Sequence, residues 1–204
     1  TGGDACYTQR TTDSQDLEII GGAEMYRAAS RTSYFHKTIR GELNMTIGPV
    51  QSGKTTELLR ILNSDLIAGR EPVLIRPNDH GYQNKRISKF ECITTGKLPS
   101  KEELQNFQII GVDDAHLFNN IAEWADELAN EGKLVVVAAL DSDTNREPFD
   151  CIKKLFAFSE KVQKLEAVCT KTGLPAPFSI LKGIEMIPIS RYALLQHLQN
   201  ANTI

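Results

Sequence analysis

The eight residues Gly48, Pro49, Val50, Gln51, Ser52, Gly53, Lys54 and Thr55 match the pattern G-x-x-x-x-G-K-[ST]. Two glycines let the backbone wrap so that successive N–H groups point at phosphate oxygens. In such loops the lysine, here Lys54, reaches the β- and γ-phosphates, and the hydroxyl of Thr55 is suited to bind Mg²⁺. The pattern therefore predicts a site for a nucleoside triphosphate and its magnesium ion.

Two acidic residues, Asp113 and Asp114, follow the largely apolar segment 109–112. A carboxylate at the tip of a buried strand can hold the same magnesium ion as Thr55, and this is the role predicted for Asp113. Asp114 is placed to accept the proton of a substrate hydroxyl group. A helix N-cap or an exposed loop carboxylate is the competing interpretation. These features alone do not distinguish a kinase from an ATPase or a GTPase.

These residues need a scaffold of strands and helices, and the hydrophobic pattern predicts one. The apolar run 134–140 is typical of a strand covered on both faces. Strands that alternate with helices predict an α/β fold with a mostly parallel sheet and helices on both faces. The predicted strands are 43–47, 72–75, 106–113, 134–140 and 162–168, and the predicted helices are 54–68, 120–132, 148–158 and one near 192–198.

Three stretches lack a clear strand or helix pattern. Residues 78–105 are polar and irregular, which predicts a mobile surface segment. Residues 1–40 and 170–204 have little periodicity apart from the apolar residues 17–20 and the last helix. Residues 1–8 also echo residues 172–179, which by itself is a weak match.

Composition excludes several classes of partner. The 204 residues carry 23 Lys and Arg against 26 Asp and Glu, so the net charge of −3 gives no general attraction to nucleic acid or anionic membranes. The apolar run 134–140 is too short to span a bilayer. Four scattered cysteines are typical of reduced intracellular thiols. We therefore expect a cytoplasmic protein that binds neither nucleic acid nor a membrane.

Four segments carry a resemblance to a known family: 48–59 (GPVQSGKTTELL), 111–118 (GVDDAHLF), 129–149 (ANEGKLVVVAALDSDTNREPF) and 164–169 (KLEAVC). Together they resemble the type II thymidine kinases, the cellular, tetramer-forming class. The resemblance covers nearly the whole chain and implies a RecA-like P-loop core with a small lasso domain that closes over the nucleoside base. It also implies ATP-dependent phosphorylation of the 5′-hydroxyl of thymidine or a related deoxynucleoside, with ATP and Mg²⁺ as cofactors and a homo-oligomeric assembly.

The N-terminal residues resemble the family's lasso but stand before the core. The simpler interpretation is a tandem gene product, in which residues 1–34 end an upstream kinase unit that pairs with this one. The alternative is a circularly permuted single unit, in which Tyr26 serves this same core. We predict a lasso-like segment at 1–40, a P-loop core at 41–168, and a degenerate lasso with a C-terminal helix at 169–204.

The family binds a structural zinc ion with two pairs of cysteines. Here the first pair is Cys169 and Thr172, and no second pair is recognisable. Because a tetrahedral zinc site needs four sulfur or imidazole ligands, we predict that zinc is absent.

The nucleoside side of the site departs further from the family. The catalytic base of the family is a Glu, and Asp114 is one methylene shorter; a misplacement of about 1 Å costs roughly 10²-fold in rate. The resemblance assigns nucleoside contacts to Leu117, Leu140, Thr144 and Tyr26, with Thr144 in place of a stacking aromatic. The Gln that follows the base in the family is replaced here by His116. An Arg expected in the family is replaced by Gly81, whereas Arg146 remains available to bind phosphate.

Three functions therefore remain open. The first is a thymidine kinase that uses all of these residues. The second is a catalytically impaired, ATP-binding unit that supports an active partner unit. The third is a general P-loop ATPase or GTPase, which does not explain the echo between the two ends or the segment 129–149.

Overall fold

The computed structural model describes residues 41–78, 89 and 91–201. The predictions for residues 1–40, which include Tyr26, and for Gly81 lie outside these residues. A six-stranded sheet forms the centre, and each of its neighbouring pairs is parallel. Its strands are β1 (Glu42–Gly48), β2 (Pro72–Pro77), β3 (Glu91–Thr95), β4 (Ile109–Val112), β5 (Leu134–Leu140) and β6 (Lys161–Lys164). Their order is β3-β2-β4-β5-β1-β6, which confirms the predicted parallel α/β sheet.

Helices cover both faces of the sheet, as predicted. On one face, Leu58, Leu59 and Leu62 of helix α1 (Lys54–Ile67) pack against buried strand residues such as Val136 and Ala138. The opposite face carries α2 (Ile121–Asn130) and α3 (Asp150–Phe158), whose buried residues share one core with Val135 and Val137 of β5. The helices are α1 (Lys54–Ile67), α2 (Ile121–Asn130), α3 (Asp150–Phe158) and α4 (Arg191–Ala201), and a 3₁₀ turn spans Ala115–Leu117.

A glycine sets the distance between α1 and the sheet. A Cβ atom on Gly111 of β4 would lie 2.7 Å from Leu62 Cδ1 and 3.2 Å from Leu58 Cδ1. Because 2.7 Å is shorter than real Cβ contacts, a larger residue here would force the buried Leu62 side chain or α1 itself to move. Gly111 therefore lets α1, which begins at Lys54, lie close to β4, which ends one residue before Asp113.

The segment 78–105 is not irregular throughout, so that part of the prediction was wrong. Residues Glu91–Thr95 form β3, which pairs in parallel with β2 and places Cys92 opposite Leu74. Strand β3 lies at the edge of the sheet and is largely exposed. Because an edge strand needs few apolar residues, its sequence carries no strong signal. The strand predicted at 106–113 is also shorter, since β4 begins at Ile109.

The C-terminal part contains more structure than its sequence suggests. The strand predicted at 162–168 is divided into β6 and β7 (Ala167–Val168), and β7 pairs with β8 (Pro175–Ala176). Strands β9 (Phe178–Lys182) and β10 (Glu185–Ile189) form an antiparallel hairpin, and the predicted final helix is α4. Strands of two to five residues are too short to show periodicity. In residues 41–78, 89 and 91–201, no helix is long and apolar enough to cross a membrane.

Candidate active site

The motif at residues 48–55, called the phosphate loop below, connects β1 to α1 and has an unusual backbone. Gln51 and Gly53 adopt left-handed conformations, with φ values of 60° and 86°. Gly48 has a φ of 151°, and a Cβ atom there would lie 2.4 Å from the carbonyl oxygen of Leu165. A side chain at position 48 therefore has no room, which gives the first glycine of the motif a packing role as well as a conformational one.

The loop is held from inside by the carbonyl group of Pro49. Ser52 Oγ donates to the Pro49 oxygen at 2.9 Å, and Lys54 Nζ donates to the same oxygen at 2.5 Å. Lys54 is 8% exposed, and this burial lowers the pKa of its ammonium group, while the charges of Asp114, Asp141 and Asp113 raise it. A cation buried at the start of a helix, among loop N–H groups, is suited to bind phosphate oxygens.

Thr55 and Asp113 meet at the predicted metal position. Thr55 Oγ1 donates to Asp113 Oδ1 at 2.9 Å, and Asp113 is 1% exposed. The other carboxylate oxygen, Asp113 Oδ2, has no hydrogen-bond partner in the described part of the chain and lies 3.6 Å from Arg76 Nε. Magnesium prefers hard oxygen ligands of this kind, so a buried oxygen without a hydrogen bond and a neighbouring hydroxyl fit Mg²⁺.

Burial is the largest influence on the pKa of Asp113, which it raises. The charge of Asp114 raises this pKa further, whereas Thr55, Arg76 and the backbone N–H of Asp114 lower it. The protein therefore holds a carboxylate in surroundings that disfavour its charge, which a bound cation would offset.

Asp114 adopts a left-handed backbone conformation, with φ 47° and ψ 41°, two residues after the end of β4. This region is uncommon for residues other than glycine, although Asp and Asn enter it more readily than most. Its backbone N–H donates to Asp113 Oδ1 at 3.1 Å, which fixes the turn. Lys54, Asp113 and Asp114 lie close enough together for both acids to raise the pKa of Lys54. Their roles in binding and catalysis stay predictions.

The predicted nucleoside contacts lie around the turn that follows Asp114. Leu117 is 52% exposed in the 3₁₀ turn, and Leu140 is half-buried at the end of β5. His116 connects these two residues, because it directly precedes Leu117 and its Nδ1 accepts a hydrogen bond from Leu140 N at 3.4 Å. Thr144 is half-buried in the loop after β5, and its contact with substrate stays a prediction.

The family model for thymidine kinase matches residues 41–189 of this chain. This chain belongs to the thymidine kinase family. It is 40% identical over 151 residues to the thymidine kinase of vaccinia virus (strain Ankara) and to that of variola virus. Each match covers 71% of this chain and 85% of the relative. The thymidine kinase of monkeypox virus (strain Zaire-96-I-16) is 39% identical over the same length. The resemblance to thymidine kinases is thereby confirmed.

Three further residues of this thymidine kinase family member approach the site but were not predicted. Arg76, at the end of β2, forms the ion pair with Asp113, and a charged residue after the apolar segment 73–75 was a usable signal. Asp141, whose charge reaches Lys54, follows β5 and pairs with Lys164 at 2.7 Å. Ser179 contacts the phosphate loop from the C-terminal hairpin, and no local pattern marks it.

The position of the family's first cysteine pair is a small hydrogen-bonded cluster. Cys169 is buried, and its carbonyl oxygen accepts from the N–H groups of Thr172 at 3.2 Å and Gly173 at 2.8 Å. The hydroxyls of Thr172 and Ser190 lie 3.0 Å apart. In the part of the chain that the structure describes, no group of three His, Cys, Asp or Glu residues could hold a metal ion. The absence of zinc stays a prediction.

Proposed function

We propose that this chain transfers the γ-phosphoryl group of ATP to the 5′-hydroxyl of thymidine or a related deoxynucleoside. The observation that carries this proposal is the junction of the phosphate loop with Asp113 and Asp114 in a member of the thymidine kinase family. Curated relatives that are 40% identical are named thymidine kinase, which favours an enzyme over the catalytically impaired unit.

The phosphate loop would bind the triphosphate of ATP. Its N–H groups and the positive end of α1 face an anion, and Lys54 Nζ would exchange the Pro49 oxygen for phosphate oxygens. An ammonium group held in this place stabilises the negative charge that develops on the transferred group.

Thr55 and Asp113 would hold Mg²⁺ through the hydroxyl and the carboxylate that now contact each other. When bound there, the metal ion would neutralise negative charge on the triphosphate. Arg76 keeps Asp113 in place and partly offsets its charge in metal-free protein, where Asp113 is otherwise buried without a cation.

Asp114 would accept the proton of the 5′-hydroxyl as that oxygen attacks the γ-phosphorus. The new bond joins the 5′-oxygen to phosphorus, the bond between the γ-phosphorus and the bridging oxygen breaks, and ADP leaves. Asp114 is one methylene shorter than the Glu of the family. We therefore infer that the left-handed backbone of the turn places its carboxylate closer to the 5′-hydroxyl.

Leu117, Leu140 and Thr144 would contact the nucleoside, with Tyr26 added if the lasso at 1–40 serves this same core. A homo-oligomer, or pairing with an upstream kinase unit, and a cytoplasmic location remain our proposals from the sequence. The domain division at residues 40 and 168 is likewise a proposal.

An assay of ADP formation with and without thymidine tests the proposed function. We expect release of ADP from ATP and Mg²⁺ to depend on thymidine. Release at the same rate without nucleoside would support a general ATPase instead. Folded protein that binds ATP but releases no ADP with thymidine would support the impaired unit.

A further inference from the structure

We propose that Ser179 is a positioning residue that connects the phosphate loop to the C-terminal hairpin formed by β9 and β10. The backbone N–H of Val50, in the middle of the loop, donates to Ser179 Oγ at 3.1 Å. The two residues are 129 positions apart in the chain. The inference rests on the proposed function, because it assigns Ser179 a part in the binding of ATP.

The loop needs an external support at this point. Gln51 and Gly53 have left-handed backbones, and residues in such conformations persist where surrounding contacts hold them. The hydrogen bonds from Ser52 and Lys54 to Pro49 are made within the loop itself. The hydrogen bond from Val50 instead reaches a different element, so it fixes the loop relative to the rest of the fold.

Ser179 is well suited to this task because it is itself held rigidly. It is 3% exposed and lies opposite Pro188 in the register of the hairpin. The neighbouring residues Ile180 and Ile189 are buried in the small C-terminal core. On the other side, the guanidinium of Arg191 lies 4.8 Å from the ring centre of Phe178. The Ser179 hydroxyl therefore has a defined position before any nucleotide binds.

The connection should act in both directions. If the Ser179 contact favours the loop conformation that binds ATP, its loss lowers the population of that conformation and raises the apparent dissociation constant by the same factor. By thermodynamic reciprocity, nucleotide bound in the loop should stabilise the hairpin. A serine that served only the stability of the C-terminal part would show neither effect.

The first experiment compares Ser179→Ala with Ser190→Ala. Ser190 is a matched control because it is 2% exposed and its hydroxyl accepts a backbone N–H, that of Ala193 at 3.3 Å, away from the loop. Rates are expressed per active enzyme molecule. We expect S179A to raise the KM for ATP and the dissociation constant of ADP about 3- to 10-fold, which corresponds to the loss of one hydrogen bond, with little change in kcat. S190A should lower the melting temperature and leave both constants within about twofold.

Ser179→Thr keeps the hydroxyl and should restore nucleotide binding to near the wild-type value. The proposal is overturned if S179A binds ADP as tightly as wild type, or if S179A and S190A weaken binding equally. Should wild type itself fail to bind ATP, the proposed function fails, and with it the premise on which the role of Ser179 rests.

A second experiment needs no variant and so does not depend on whether S179A folds. Hydrogen–deuterium exchange of residues 178–189 is measured in wild type with and without ADP and Mg²⁺. We expect slower exchange in these residues when nucleotide is bound. Unchanged exchange in the hairpin, with slower exchange in the phosphate loop, would overturn the proposed connection while leaving nucleotide binding intact.

Discussion

Thr55 Oγ1 donates a hydrogen bond to Asp113 Oδ1 at 2.9 Å, although the two residues are 58 positions apart. The contact joins the start of α1 to the end of β4, and Gly111 allows these elements to approach each other. It places a hydroxyl and a buried carboxylate at the mouth of the phosphate loop. These are the two oxygen groups that the proposed function assigns to Mg²⁺, and they already contact each other in the absence of nucleotide and metal.

Lys54→Met should abolish most activity without unfolding the protein. Lys54 is buried, so a methionine of similar length can occupy its space, but the positive charge that binds phosphate is lost. We expect kcat/KM to fall about 10²- to 10³-fold, the size of effect seen when one group that stabilises the transition state is removed. Steady-state kinetics and a thermal melt measure the two quantities. Wild-type turnover in K54M would contradict the assigned role.

Asp114→Asn should separate catalysis from nucleotide binding. The amide cannot accept the proton of the 5′-hydroxyl, so we expect kcat to fall about 10²- to 10⁴-fold while the dissociation constant of ADP stays unchanged. Asp114→Glu is the matched variant, since it keeps the carboxylate and should be at least as active as wild type. Equal activity of D114N and wild type would remove Asp114 as the base.

Asp113→Asn should change how stability depends on pH in metal-free protein. Burial raises the pKa of Asp113 above its usual value of 3.8, so above that pH the folded protein holds a proton that the unfolded chain has released. The free energy of unfolding therefore falls as the pH rises through this range, and D113N should remove that contribution. Urea denaturation between about pH 2 and 7, in a chelator, measures the slope below and above the usual pKa of Asp.

Asp150→Asn serves as the control for this pH series. A hydrogen bond from Lys153 lowers the pKa of exposed Asp150, so its contribution to stability rises with pH and has the opposite sign. We expect D113N and D150N to shift the slope in opposite directions. Identical slopes in wild type and D113N would show that burial does not raise the pKa of Asp113.

Gly111→Ala should destabilise the fold by overpacking. The added methyl group would lie 2.7 Å from Leu62 Cδ1, and insertions of this kind cost about 1–3 kcal/mol of unfolding free energy. Leu62→Ala alone should cost about 2–5 kcal/mol because it leaves a cavity. The double variant should lose less than the sum of the two, since each change relieves the other. Additive losses, measured by chemical denaturation, would contradict the close contact.

Much of the core could be predicted from sequence because its signals are local. The phosphate loop is a contiguous motif, and strand β5 is an uninterrupted apolar run with the bounds predicted. Asp113 was found because it directly follows a buried strand. Each of these features can be recognised within a dozen neighbouring residues.

The elements that sequence analysis missed depend on long-range contacts. Strand β3 is defined by its pairing with β2. Because it lies exposed at the sheet edge, its fold places few constraints on its amino-acid composition. The hairpin of β9 and β10 shares a small core with β7, β8 and α4, so its residues are buried by contacts with several separate elements. Ser179 is recognisable as a site residue once the fold has brought it to Val50.

The central claim is that the loop around Lys54 presents the γ-phosphate of ATP to a 5′-hydroxyl beside Asp114. The most direct test follows ³²P from γ-labelled ATP into nucleoside, with thymidine and with 5′-deoxythymidine, which lacks the acceptor oxygen. We predict labelled thymidine 5′-monophosphate from the first substrate, no labelled product from the second, and loss of labelling in D114N. Label in the 3′-monophosphate, or no nucleotide product from folded, ATP-binding protein, would contradict the account.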